Sequence, residues 1–170
     1  MANRVTWALI VVVVAAATAE AQSSAPKTLT YGDWTVVRST DGDDLIAATG
    51  QDSDKLLGYR CFTARGQCVH TILMATKCDD GANYPVLINA SGGSLTVTCL
   101  CSNNDGSYEL IPTDWDAFHG MLTDSTGYVG FAIPLADGRF KVVRFSLKGV
   151  KQAMDAAETA IRRVDTSEYH

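Results

Sequence analysis

The sequence predicts a mainly β domain, a β-sandwich or flattened barrel with a short internal helix and an amphipathic C-terminal helix. Three observations carry that expectation. Short runs rich in Val, Ile, Thr and aromatic residues recur between clusters of Gly, Asp, Asn and Ser. The apolar spacing becomes helical at only two places, after Thr113 and after Gly149. The N-terminus reads as an export signal, so the five cysteines are expected to meet an oxidising compartment.

That signal opens with Arg4, followed by a run of thirteen residues, Trp7–Ala19, apolar except for Thr18. Ala19 and Ala21 are the small residues a signal peptidase reads, which places cleavage before Gln22. A spanning helix needs about twenty apolar residues, so a retained anchor is the poorer reading. Removing residues 1–21 from the 170 leaves 149, the size of one domain with a substantial core. Residues 22–28, small and polar with Pro26, read as a flexible leader to a single domain over residues 29–170.

Leu29–Val37 is the first expected strand, on its aromatic and β-branched content. The stretch from Arg38 to Lys55 is dense in Asp, Ser and Gly and reads as a long loop holding at most one weak strand. Leu57–Thr63 and Cys68–Thr76 flank a short connection and form an expected hairpin. Tyr84–Asn89 and Leu95–Cys101 are strands around a Gly-Gly turn, and Tyr108–Ile111 follows the turn residues Ser102–Ser107. Trp115, Phe118 and Leu122 fall at helical spacing, with Thr113 and Asp116 resembling a capping box. Tyr128–Pro134 and Phe140–Leu147 flank Asp137-Gly138, a good hairpin turn. In the last segment Val150, Met154, Ala157 and Ile161 make one apolar stripe, with Ser146 as the expected cap and Arg162-Arg163 at the cation-favouring end. Seven to nine strands and two helices are the sum.

Charge and motifs narrow the function. The mature chain keeps 13 basic and 18 acidic residues, and 13 − 18 is −5. An acidic domain without a basic stripe is a poor partner for nucleic acid or anionic membrane. The three histidines, His70, His119 and His170, fall in no metalloprotease, hydrolase or phosphate-loop pattern. No catalytic residue, no metal and no cofactor is therefore expected; His119, Asp114 and Cys101 are the positions at which lost turnover would overturn that reading. The acidic stretch Asp41, Asp43, Asp44, Asp52 and Asp54 lacks the EF-hand spacing, because Leu45 stands at a ligand position. Asn89-Ala90-Ser91 matches a glycosylation sequon, which matters only in a eukaryotic host.

The cysteines are better read as staples. Cys61, Cys68, His70 and Cys78 lack the close pairing of structural zinc ligands, and Cys99-x-Cys101 ends a β run rather than opening a helix, where a dipole would activate a thiolate. If Thr63–Gly66 is the hairpin loop, Cys61 faces Cys68; with Arg65-Gly66 alone as the turn, Cys61 faces His70. Cys99 and Cys101 share one strand face. The expectation is a Cys61–Cys68 bridge, Cys78 joined to Cys99 or Cys101, and one spare thiol, either buried or available to a second chain.

Three segments, Tyr31–Val37, Gly58–Met74 and Val129–Ala157, together resemble the invasion-associated locus B family, exported proteins of Gram-negative alphaproteobacteria. A G-x-W motif opens that family's domain, matched here by Gly32 and Trp34, and an "SLKGF"-like turn before the last helix is matched by Ser146–Val150. The family commonly has a cysteine just after the first strand, where this chain has Val37-Arg38. The resemblance implies a periplasmic or secreted β-sandwich, linked in some members to host-cell entry, and brings no catalytic residues. The expected function is that of an exported, non-enzymatic binding protein whose partner is a protein or surface ligand. The competing readings are an exported enzyme inhibitor, such as a lysozyme inhibitor, and an enzyme with an unrecognised site.

Overall fold

The computed structural model describes residues 28–39, 44–52, 55–73, 76–104, 106–135 and 138–167. The expected signal and nearly all of the leader, the loop residues Asp41, Asp43 and Asp54, and His170 lie outside these residues. The described chain forms ten strands and two helices: β1 (Leu29–Tyr31), β2 (Trp34–Arg38), β3 (Asp44–Asp52), β4 (Lys55–Phe62), β5 (Gln67–Leu73), β6 (Asn83–Ala90), β7 (Gly93–Asn104), β8 (Ser107–Pro112), α1 (Trp115–Thr123), β9 (Tyr128–Pro134), β10 (Phe140–Ser146) and α2 (Val150–Ser167).

All neighbouring strands pair antiparallel, in the order β1-β2-β3-β4-β5-β8-β7-β6-β9-β10. Among the described residues β5 and β8 are registered at Ile72 with Leu110 and Leu73 with Glu109. The sheet curls so that β10, at its far edge, comes close to β3 and β4 without pairing with them. The result is a flattened, sandwich-like fold that is not closed into a barrel.

Strand alternation fills the interior. Trp34 and Val36, Leu57, Tyr59 and Cys61, Val86 and Ile88, and Val129, Phe131 and Ile133 point inward on their strands. The helices cover what the strands leave open. The stripe Val150, Met154, Ala157 and Ile161 is buried, joined by Ala153, and α2 packs on β1 to β4. Ile161→Asp is accordingly expected to cost about 3 kcal/mol or more, from lost apolar burial and a stranded charge; a urea melt reads this directly, and an unchanged midpoint would mean that the stripe does not pack.

Three local expectations need correction. The acidic stretch is not a loop throughout: β3 is a nine-residue strand between β2 and β4. Leu45, Ala47 and Thr49 alternate inward there, a period masked by the Asp, Gly and Ala around them. The first strand is broken into β1 and β2 at Gly32-Asp33. The helix caps also differ: Asp114 is the N-cap of α1, its carboxylate accepting from the Ala117 N–H at 3.1 Å, while the Thr113 hydroxyl donates to the Thr98 carbonyl at 2.9 Å. Ser146 ends β10 and does not cap α2.

What Ser146 does instead explains two of the sequence motifs. Its hydroxyl donates to Asp33 at 2.6 Å and accepts from the Lys148 N–H at 3.2 Å, and its carbonyl accepts from the Trp34 indole at 2.9 Å. The Asp33 N–H donates to the Lys148 carbonyl at 2.9 Å. Gly32 and Gly149, both at positive φ (58° and 91°), let the two backbones touch: a Cβ on Gly149 would overlap the Tyr31 carbonyl, and one on Gly32 the Lys148 backbone. The "YGDW" and "SLKG" turns are two halves of one lock, set more than 110 residues apart in sequence. Their role is structural.

Candidate functional site

Two bridges and one free thiol account for the five cysteines. Cys61 and Cys68 are directly opposed in the β4–β5 register and bridged, with Cα atoms 4.0 Å apart. Cys78 is bridged to Cys101 across 6.2 Å. Register accounts for the choice of Cys101: Asn83 lies opposite Leu100 and the Cys101 N–H donates to the Ala82 carbonyl at 2.8 Å. Residues before β6 therefore run alongside Cys101 and away from Cys99. Cys99 is free and fully buried, its thiol pushed up to about 12 by burial. It is inert, and a covalent dimer through it would require the domain to open. Peptide mapping of unreduced protein is expected to recover 61–68 and 78–101 cross-links, with one thiol appearing only on denaturation; an alkylated Cys99 in folded protein would contradict this.

Beside the first bridge the inner face of the hairpin continues with Tyr59, paired in register with His70. Their rings lie 4.7 Å apart. α1 covers them with Trp115 and His119, one turn apart on the same face. The Trp115 and His119 rings stack at 4.4 Å and 15°, and His119 Nδ1 meets His70 Nε2 at 3.1 Å, so one of these nitrogens carries the shared proton. From α2, Glu158 accepts the Tyr59 hydroxyl at 2.7 Å with one oxygen and the Arg162 guanidinium at 2.7 Å with the other. Tyr59, Trp115, Glu158, Arg162 and the side of Ile161 line a cleft of about 280 Å³ between the two helices, with Gly66 and the half-buried Cys68 on its rim and the two histidines behind Trp115.

Its electrostatics follow from burial. His70 is 2% exposed, and desolvation, with the neighbouring His119 adding to it, holds it down to about 3, so it is neutral. Its Nδ1 has no hydrogen-bond partner, an uncommon state for a buried polar atom. The Tyr59 phenol is pushed far above its ordinary range, chiefly by burial and then by its bond to Glu158. Tyr59 and Glu158 are thus engaged with one another, and His70 with His119 behind them. The arrangement offers an aromatic wall, an acceptor and a donor.

Other expected site residues lie apart. Asp44 is drawn into β3, where Arg60 contacts one of its oxygens with two nitrogens at 2.8 and 2.6 Å, so it is ion-paired. Cys61, Cys68 and Cys78 are engaged in bridges and His70 in the histidine pair. Two larger hollows of about 680 Å³ each are open surface features. One lies over β6, β9 and β10, where Leu87, Ala132 and Val142 form a row; the other lies near Cys78 and Tyr84. The histidines and Asp114 were legible as candidates in the sequence, and Trp115 and His119 sit at a visible helical spacing. Tyr59 and Glu158, 99 residues apart, leave no local signal.

No family model matches the chain, and no curated protein matches it. Among solved structures the chain is similar to invasion associated protein b from Bartonella henselae, with a TM-score of 0.58 and 14% identity over 81% of this chain and 99% of that one. At this identity the likeness is one of fold, and the chain shares the fold of that protein over nearly its whole length.

Proposed function

We propose that this chain is an exported, non-enzymatic binding protein related to the invasion-associated locus B family, and that it binds through the cleft between α1 and α2. The observation that carries the binding reading is the engagement of Tyr59, His70 and Glu158 with one another's neighbours, beside the 39%-exposed Trp115. A site built to move protons keeps an acid or base near neutral pKa and open to substrate; here burial and pairing spend those groups on structure. The fold likeness supports the family, and the name of the similar protein suggests contact with a host as the setting. Two disulfides support an oxidising compartment, periplasm or exterior.

Export is checked by the intact mass of secreted or periplasmic material, which is expected to begin at Gln22; retained Met1 would contradict it. The non-enzymatic reading is tested with generic hydrolase and disulfide-exchange substrates. No turnover above background is expected from the purified protein, and turnover abolished in His119→Ala or Glu158→Gln would overturn the proposal.

A further inference from the structure

We infer that the cleft between α1 and α2 is a saccharide subsite that takes one neutral sugar ring, an inference that rests on the binding reading of the same cleft. Trp115 lines it as a fixed plate. Its indole is braced by the stacked His119 ring, and His119 is braced by His70. A plate already held in place loses little freedom on binding, and the C–H face of a pyranose is a natural cover for an aromatic surface.

The polar side of the cleft selects further. Glu158 and Arg162 both line it and are ion-paired at 2.7 Å. The two lining charges cancel, which leaves little field to select an ion. Yet a carboxylate offers about four acceptor positions and a guanidinium five donors, so both can bind further hydroxyls. A ligand with hydroxyl donors and acceptors around an apolar ring face uses every wall. A hydrocarbon uses only the indole and the side of Ile161 and leaves the ion pair idle, and a simple anion or cation uses only one partner of that pair.

Size and backbone agree with this. About 280 Å³ is at the lower edge of small-molecule sites, roughly 300–1,000 Å³, which is room for a single ring. Gly66 sits on the rim at φ 60°, its N–H turned to the Thr63 carbonyl, and a Cβ there would meet nothing within 4 Å, so the space beside it is open to a ligand. The His70 ring backs the indole plate without lining the cleft, its centre 5.8 Å from that of Trp115 and 5.3 Å from that of His119.

The test is an NMR titration of the whole mature protein with the methyl glycosides of glucose, galactose and N-acetylglucosamine, alongside choline and glucuronate. At least one neutral glycoside is expected to shift the Trp115 indole and the Gly66 amide saturably while leaving the Trp34 indole still. Trp115→Ala is expected to weaken that binding about tenfold, and the exposed Arg162→Gln to weaken it as well, which keeps the test usable if the first variant folds poorly. Shifts that survive unchanged in both variants, or no response of Trp115 to any neutral glycoside, would overturn the inference. A response to choline or glucuronate alone would overturn it and leave the binding reading standing. Conversion of a glycoside to product would overturn the non-enzymatic reading.

Discussion

Gly149→Ala is expected to destabilise the domain by about 4 kcal/mol, a large share of the 5–15 kcal/mol that holds a typical fold. Two causes add. Gly149 sits at φ 91°, where an L side chain is strained, and its missing Cβ is the space occupied by the Tyr31 carbonyl. The strain alone is worth about 1–2 kcal/mol. The rest comes from forcing the "YGDW" and "SLKG" turns apart, which threatens the Asp33–Lys148 backbone bond and the Trp34–Ser146 bond together. Gly127→Ala is the matched control: its φ is 75°, but a Cβ there would meet nothing within 4 Å. Urea denaturation of the two variants separates strain from overlap. Equal midpoints would show that the lock contributes nothing beyond its backbone angle.

Stability is expected to fall by about 2 kcal/mol between pH 7 and pH 5 because of His70. In the unfolded chain a histidine titrates near 6.5, whereas in the folded domain burial holds His70 down to about 3. Between those values the unfolded chain binds a proton that the folded chain refuses. Stability from this group is therefore complete above the unfolded pKa and is lost as pH falls below it, to a limit of about 4–5 kcal/mol near pH 3. The window above pH 5 precedes most carboxylate titration. His70→Gln can still hydrogen-bond His119 but cannot titrate, so its stability is expected to vary less over the same window. A wild-type slope identical to that of His70→Gln would show that His70 is protonated without cost.

The class of fold was legible because it depends on local rules. Alternation in Leu95–Cys101 and Tyr128–Pro134, and the stripe from Val150 to Ile161, each report burial that the tertiary structure then uses. β3 was hidden because alanine, threonine and glycine alternate with little contrast in hydropathy, and its strand character comes from neighbours on both sides. The caps were misplaced by a single register step at α1 and by a tertiary role at Ser146, whose hydroxyl is taken by Asp33. For Cys78 the deciding fact is the β6–β7 register, which no local pattern prints. The cleft is harder still. It joins β4, β5 and two helices, so its members and the histidines behind them are ordinary residues until the fold brings Glu158 to Tyr59 and His119 to His70.

A thermal-shift comparison of the wild type and Trp115→Ala, over a library of small polar molecules, tests most directly whether the cleft binds. Any ligand of the folded state raises the melting temperature with its concentration. Compounds that raise the wild-type transition and leave the Trp115→Ala transition where it was are the expected result. A library in which every active compound stabilises both proteins equally, or in which none stabilises the wild type, would contradict a binding role for the cleft.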